Sequence, residues 1–311
     1  MDKVFIHESA IKRRKDYEFE KVEVFSPPNW QTSRDSGTGE IEDFSNVLLR
    51  LESTNHCNFA CTFCPHPTME RPKGFMDDSL IASLLSEAGA LGFQMLDLRN
   101  FGEPLMDRRL ASFASLARGV GFNKIYIHTN GHPLRKKNLD DWGSSGITDV
   151  NLSLSPKREF AVTRPGVNVD KFYENLENLM ASKSDHLGIL SVDYIRTGFS
   201  TQEEESEFYS WLKEVSLPIR TEIELHNWGV GEEKIHYKCH RLWSSVTVLW
   251  DGRVSLCCLD YEGDYILGDT NNSSLISIIN GDTYKEIRRG HANGNFLAKC
   301  ASCDMPRQKD L

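Results

Sequence analysis

From Asn46 to about residue 226 the chain alternates short apolar runs with stretches whose apolar residues recur every three or four positions. The runs are VLLRLES (47–53), FQMLDLRN (93–100), KIYIHTNG (124–131), DVNLSLS (149–155), GILSVDYIR (188–196) and IRTEIEL (219–225). Between them lie DDSLIASLLSEAGAL, DRRLASFASLARGV, LRKKNLDDWGSS, VDKFYENLENLMA and EEESEFYSWLKEV. Six strands separated by five helices, with a short helix after the first strand, require parallel pairing and right-handed crossovers. The expected fold class is therefore α/β, a partial (β/α)6 TIM-like barrel spanning 46–226. Residues 1–45 are polar, carry the turn-rich SPPNW and the SRDSGTGE tract, and read as an N-terminal extension or lid. Beyond 226 the alternation stops. SSVTVLWDGRVSLCC predicts a hairpin about Asp251-Gly252, and SLISIINGDTYKEIRRGHANG predicts a helix with a glycine stop, so 227–311 is expected to be a small α+β domain.

Composition narrows the class. With 311 residues, 39 % hydrophobic and 26 % charged, the chain is neither fibrous nor disordered. Lysine and arginine number 36 against 45 aspartate and glutamate, a net charge of −9, so the bulk chain offers no affinity for nucleic acid or for an anionic membrane. No run approaches a membrane span, and MDKVFIHESAIKRRKD has no apolar stretch behind its charges. A cytoplasmic protein is expected.

The eight cysteines supply the chemistry, and they fall in two groups. Without a signal peptide, and at a size that needs no stapling, metal ligation is a stronger reading than disulfides. The first group, in HCNFACTFCPHP, is Cys57-x3-Cys61-x2-Cys64, just past the first strand. Three thiolates on one loop can hold three corners of a 4Fe–4S cluster and leave one iron open. The other reading is zinc, with His56 or His66 as fourth ligand. The second group is Cys239-x17-Cys257-Cys258-x41-Cys300-x2-Cys303, in which a hairpin and a terminal CxxC can share one metal centre, a zinc ribbon being the alternative. Cys258 is left over, because neighbours on a strand face opposite ways. It is either a small buried hydrophobe or a thiol hydrogen donor, and Asp260 is expected to share its face.

The strand ends carry a family resemblance. HCNFACTFCPHP resembles the CxxxCxxC loop of the radical S-adenosylmethionine (radical SAM) superfamily, including Phe63, which in that family packs near the adenine. Phe101-Gly102-Glu103-Pro104 is similar to the family's GGEP turn, which holds the methionine amino group; Phe101 stands where the family usually has glycine. Thr129-Asn130-Gly131 is typical of the third strand end, and Ser153 or Ser155 ends the fourth, where members contact ribose or carboxylate. The C-terminal region is similar to SPASM/Twitch extensions, whose Gly-x4-Cys element matches Gly252-x4-Cys257. Five cysteines here, against seven in a full SPASM domain, imply one auxiliary 4Fe–4S cluster held by Cys239, Cys257, Cys300 and Cys303.

The resemblance implies that S-adenosylmethionine chelates the open iron and is cleaved to a 5′-deoxyadenosyl radical, with the electron coming from a flavodoxin- or ferredoxin-type donor. The short N-terminal segment argues for a small-molecule substrate, and the single-auxiliary-cluster layout most resembles aminocyclitol dehydrogenases, which oxidise a carbinol to a ketone. The alternatives are a sugar or aminoglycoside epimerase with Cys258 as hydrogen donor, a peptide-modifying maturase, and a non-catalytic zinc scaffold. Arg196 and Glu224 are expected to act on the substrate. Glu222, Arg164 and His226-Asn227-Trp228 are further residues within reach of the cavity.

Overall fold

In a computed structural model of the chain, the described residues are 37–182, 186–228 and 238–305; residues 1–36 of the expected extension lie outside them. All six expected barrel strands form: β1 (Leu48–Leu51), β2 (Met95–Asp97), β3 (Lys124–Thr129), β4 (Asp149–Ser153), β5 (Leu190–Arg196) and β6 (Ile219–Glu224). They pair in parallel in sequence order. The intervening helices are α1 (Asp78–Ala90), α2 (Leu110–Gly119), α3 (Lys136–Ser145), α4 (Lys157–Thr163), α5 (Val169–Met180) and α6 (Gln202–Glu214). Their starts follow local chemistry. The Asp77 carboxylate accepts from Ser79 N to cap α1, and Thr201 and Glu204 form a reciprocal capping box on α6.

Alternate strand residues divide the sheet into two faces. Leu49, Leu51, Leu96, Leu98, Ile125, Ile127, Val150, Leu152 and Val192 are fully buried and form one core with the apolar faces of the helices. The residues between them are polar and line the concave side. The last stretch of the expected extension also joins the core. Ile41 and Phe44 are buried, and Phe44 stacks on Phe93 at 4.9 Å, so the polar tract ends before residue 41.

The C-terminal region continues the barrel sheet. Strand β7 (Ser245–Val248) pairs in parallel with β1 on its free edge, Arg50 opposite Thr247, and β8 (Arg253–Ser255) and β9 (Ile266–Asp269) follow antiparallel. The expected hairpin is present, with Gly252 at φ +92° in its turn. The expected single helix is two, α8 (Leu275–Ile279) and α9 (Asp282–Ala292), after the four-residue α7 (Arg241–Ser244) and before α10 (Ala298–Ser302). It breaks at Asn280-Gly281, where the Gly281 backbone turns extended (ψ 161°) and the Asn280 side chain bonds both backbone groups of Ile41, at 2.9 Å each. No helix among the described residues is long and apolar enough to cross a membrane.

Candidate functional site

The Cys57–Cys64 loop leaves the carboxyl end of β1 and meets the next two strand ends. Glu103 N donates to His56 O (2.7 Å), and Gly102 sits at φ +109° where a Cβ would fall 2.8 Å from the backbone of Asn55 and His56. Only glycine fits that approach. The Glu103 carboxylate is buried and accepts from Thr129 Oγ1 (2.6 Å), Asn130 N (2.7 Å) and Leu105 N (3.0 Å). Burial outweighs these bonds and raises its pKa to about 7. Pro104 opens a short 3₁₀ turn behind it. Asn130 Nδ2 donates to Asn58 Oδ1 (2.8 Å), closing the third strand end onto the cysteine loop.

The fourth strand end arrives through Arg164. This buried guanidinium donates to Ser155 Oγ (3.1 Å) and Ser153 Oγ (3.2 Å), and lies 5.2 Å from the centre of the Phe63 ring. Trp228 Nε1 donates to Phe63 O (3.1 Å). Phe101 packs at 5.7 Å against both Trp228 and Tyr261, tying the second strand end to the β6 exit and to the segment after Cys258. His226, buried beside Trp228 at 4.0 Å, is pulled down to about pKa 4 by burial and by Arg241. Phe63, Gly102, Glu103, Pro104, Thr129, Asn130, Ser153 and Ser155 thus gather round one loop.

All eight cysteines are free thiols. Burial lifts Cys57 to about 11 and Cys64 to about 12, and raises Cys61. Cys239, Cys257, Cys300 and Cys303 line a cavity of about 30 Å³ walled by Leu242, Leu256, Leu259 and Met305. Burial, with added repulsion from neighbouring thiols, raises Cys300 to about 12 and Cys303 to about 11. Neither set has a disulfide, and no three His, Cys, Asp or Glu among the described residues stand close enough for a single metal ion. Converging thiols around an apolar gap suit a thiolate-ligated cluster larger than one ion. Neither His56 nor His66 completes a zinc site: the His66 ring nitrogen Nε2 is 2.8 Å from Asn55 O, and the His56 ring stacks on Phe75.

Cys257 and Cys258 diverge, but not by strand alternation: β8 ends at Ser255, and both cysteines lie in the turn that follows it. Cys258 is absent from the cysteine cavity; its Sγ accepts from Arg241 Nη1 (3.3 Å) and feels Arg50, Arg99 and Asp97 from β1 and the end of β2. Asp260 does not share its face. That carboxylate is buried against Lys299 (2.7 Å) and accepts from Asp264 N and Tyr265 N, closing the turn before β9.

Arg196 and Glu224 do not reach the barrel lumen. Arg196 bonds Tyr209 OH (2.8 Å) and pairs with Glu205, both on α6, and with Glu222 and Glu224. Alternation puts these β5 and β6 residues on the convex, helix-covered face.

The lumen belongs to residues that motif reading passed over. Arg50 Nε and Nη2 donate to Asp97 Oδ2 (3.1 and 3.0 Å), and Arg99 pairs with the same carboxylate. His128 Nδ1 lies 2.9 Å from Asp193 Oδ2, although β4 separates their strands, so they meet across the concave face. Arg220 reaches Asp193 (3.4 Å) and covers the Tyr126 ring, aimed inward by a bulge opposite Val192/Asp193. Arg50 Nη1, Thr247 Oγ1 and Asp193 Oδ1 are buried without partners. Above them Glu52 accepts from both Arg71 terminal nitrogens (2.9 and 2.8 Å) and from Phe101 N and Trp250 N, clamping the cysteine loop, the Phe101 turn and the hairpin together. The available signal was the polar member of each strand's alternation.

Comparison with known proteins identifies the class. The radical SAM superfamily matches residues 51–205, and the iron–sulfur cluster-binding SPASM domain matches 239–304. The chain belongs to the radical SAM superfamily and carries a C-terminal SPASM domain; it uses S-adenosylmethionine, a 4Fe–4S cluster and auxiliary iron–sulfur binding. Among curated relatives it is 27 % identical over 201 residues to the GTP 3′,8-cyclase of Actinobacillus succinogenes, a match covering 62 % of this chain and 57 % of that enzyme. The chain thus spans little more than half the length of the curated relatives it matches. Its fold is similar to that of BtrN in complex with AdoMet and 2-DOIA (TM-score 0.59, 17 % identity, 84 % of this chain and 94 % of BtrN). It is also similar to Streptococcus suis SuiB bound to the precursor peptide SuiA (TM-score 0.55, 14 % identity, 97 % and 80 %).

Proposed function

We propose that this chain is a radical SAM dehydrogenase that oxidises a carbinol of a small hydroxylated substrate, sugar- or aminocyclitol-like, to a ketone. The observation that carries the reading is the polar lumen. Where a structural barrel interior is filled by Val, Ile and Leu, this one presents Arg50, Asp97, Arg99, His128, Asp193 and Arg220, with donor and acceptor atoms left unpartnered. Buried polar groups without partners are costly, and a polyol supplies both donors and acceptors to meet them. The likeness to BtrN, whose complex holds AdoMet and 2-DOIA, supports the same substrate class.

The cysteine sets fit the expected groups: Cys57, Cys61 and Cys64 for the SAM-binding cluster, and Cys239, Cys257, Cys300 and Cys303 for one auxiliary cluster. When bound, these groups supply a 5′-deoxyadenosyl radical that removes a hydrogen atom from the carbinol carbon and a centre that takes up the one electron left over. The residues of the chain do the rest. Glu103 and the Asn130 turn orient the methionine end, Ser153, Ser155 and Arg164 hold the nucleoside side beside Phe63, and His128, kept neutral by burial and by Arg99, receives the hydroxyl proton next to Asp193.

A second reading, epimerisation, is favoured by one observation: Cys258 stands apart from the other four C-terminal cysteines, among Arg50 and Arg99. The likeness to GTP 3′,8-cyclases and the three lumen arginines favour a nucleotide as a third candidate substrate. The test is anaerobic turnover of the reconstituted protein with S-adenosylmethionine, a reductant, and a panel of aminocyclitols, amino sugars, GTP and short peptides. A product lighter by two hydrogens, still formed by Cys258→Ala, supports dehydrogenation. A product of unchanged composition that gains solvent deuterium and is lost in Cys258→Ala establishes the epimerase instead. Turnover of peptides alone overturns both.

A further inference from the structure

The macrodipole of a helix disfavours positive charge in its first turn. Four barrel helices obey this: α1, α4, α5 and α6 open with Asp78, Glu159, Asp170 and Glu203-Glu204-Glu205. Helices α2 and α3 have no acidic residue there. Arg108 and Arg109 lead directly into α2, and α3 opens with Arg135, Lys136 and Lys137, in a chain whose net charge is −9. Such departures from a local rule concentrate at functional sites.

Both helix starts flank the Cys57–Cys64 loop. On one side Asn58 Nδ2 lies 3.3 Å from His132 Nδ1, the His132 ring packs 5.4 Å from Phe59, and Arg135 Nη1 donates to His132 O at 3.0 Å. On the other, the His56 ring stacks on Phe75 at 4.9 Å, and Arg109 lies 5.9 Å above the same Phe75 ring. Phe75 and Met106, the latter in the turn between Glu103 and α2, are 45 % and 41 % exposed. The loop's own Asn58, Ala60 and Thr62 are exposed beside them. Carboxylates on this face are engaged: Asp78 and Asp107 pair with Arg109, and Asp77 caps α1. Among the described residues no carboxylate pairs with Lys73, Arg108, Arg135 or Lys137, all of them exposed.

Exposed apolar side chains within a basic rim suit a protein partner better than a free anion. Provided Cys57, Cys61 and Cys64 hold the S-adenosylmethionine-binding cluster, as proposed above, each cleavage draws one electron from outside the chain. Electron transfer weakens steeply with distance, so the source must sit against the cysteine loop. We propose that the face centred on Phe75 and Met106, with Lys73, Arg108, Arg135 and Lys137 at its rim, docks an acidic one-electron carrier protein. The carrier is oxidised by one electron and the cluster is reduced by that electron; no bond forms between the two proteins. On an otherwise acidic chain, the basic rim steers such a partner to this face.

The test uses the anaerobically reconstituted full chain, with an acidic flavodoxin as the carrier. Flavodoxin binding is measured by calorimetry, and 5′-deoxyadenosine formation with reduced flavodoxin or, separately, with dithionite. The variants are Arg135→Glu with Lys137→Glu, and Arg108→Glu; acidic residues at helix starts favour the helix, so folding is preserved. At low ionic strength each should weaken flavodoxin binding and slow flavodoxin-driven cleavage about tenfold or more, and the difference should shrink at about 0.5 M salt. Iron content and dithionite-driven cleavage should stay parental. Lys171→Glu, an exposed reversal at the start of α5, should change nothing. Parental flavodoxin binding in both variants, equal loss in Lys171→Glu, or a parental dimer that the variants dissociate on sedimentation overturns the proposal. A parent that cleaves nothing even with dithionite overturns the cluster assignment itself, and the docking proposal falls with it.

Discussion

Arg241 Nη1 donates to Cys258 Sγ across 3.3 Å, while the same arginine lines the cavity that Cys257 faces. Two adjacent cysteines are thereby given opposite electrostatics. Burial pushes the Cys258 thiol up, but Arg241, then Arg50 and Arg99, outweigh it and hold the thiol below its ordinary value. Cys257 has no such cation among its leading neighbours; burial, then repulsion from Cys258, Cys300 and Cys239, keeps it well above. Only the geometry of the turn after β8 separates a cluster-type thiol from one that stands apart.

This separation predicts different iron contents for two single substitutions. After anaerobic reconstitution, Cys257→Ala should lose about four of about eight iron per chain, because one corner of the auxiliary site is gone. Cys258→Ala should keep all of them. Iron and sulfide assays with electron paramagnetic resonance decide it, and equal loss in both would place Cys258 among the ligands.

If Glu103 orients the methionine end, as proposed, S-adenosylmethionine binding should depend on pH. Folded Glu103 holds its proton to about pH 7, against an ordinary value of 4.5. Between those values the folded chain binds more protons than the unfolded, so this group's contribution favours folding at the acid side of that window and is lost as pH rises through it. The N–H groups of the chelating amino group need an acceptor, which the ionised carboxylate supplies better than the protonated one. Affinity should thus fall by up to about tenfold per pH unit below about 7. Glu103→Gln should bind more weakly at pH 8 and show no slope. A parental affinity that is flat from pH 8 to 6 would exclude Glu103 as the amino group's partner.

Phe101 replaces the family's usual glycine and is buried against Trp228 and Tyr261. Phe101→Gly should cost about 3–5 kcal/mol of stability, the range for deleting a buried phenyl ring. Backbone groups and Glu103 still form the turn, so affinity for S-adenosylmethionine should change less than threefold. Chemical unfolding of the loaded protein, read beside ligand titration, separates the two effects.

What the sequence disclosed depended on whether the determining interactions were local. The barrel strands and the Cys57–Cys64 loop were legible because hydrophobic period and ligand spacing are encoded within a few residues. Strand β9, Ile-Leu-Gly-Asp, has no alternation and exists because β8 offers it an edge. The attachment of β7 to β1 is likewise a tertiary choice. In the lumen the difficulty was parity. SVDYIR carries a charge at both phases, Asp193 and Arg196, and a strand sends them to opposite faces. Arg196 looked suitable at the strand end, yet Asp193 faces His128 while Arg196 faces α6. The bulge that turns Arg220 inward leaves no mark in the sequence.

Asp193 therefore gives the sharpest test of where substrate sits. Its Oδ2 meets His128 and Arg220, while Oδ1 is buried and unpartnered. Burial favours its proton, but His128 beside it, with the charges of Arg220 and Arg99, outweighs that and keeps its pKa below normal, so the lumen holds a carboxylate. Asp193→Asn preserves shape and removes the charge. A hydrogen bond to a charged group contributes about 1.5–3 kcal/mol, so kcat/KM for the hydroxylated substrate should drop about 10- to 150-fold. Affinity for S-adenosylmethionine should not move, because Glu103, Ser153, Ser155 and Arg164 are untouched. Abortive cleavage, with 5′-deoxyadenosine exceeding product, should rise as the carbinol is held less firmly. If kcat/KM were instead preserved while Asp97→Asn lowered it, substrate would lie against β1 and β2, beside Cys258, rather than at the His128–Asp193 wall.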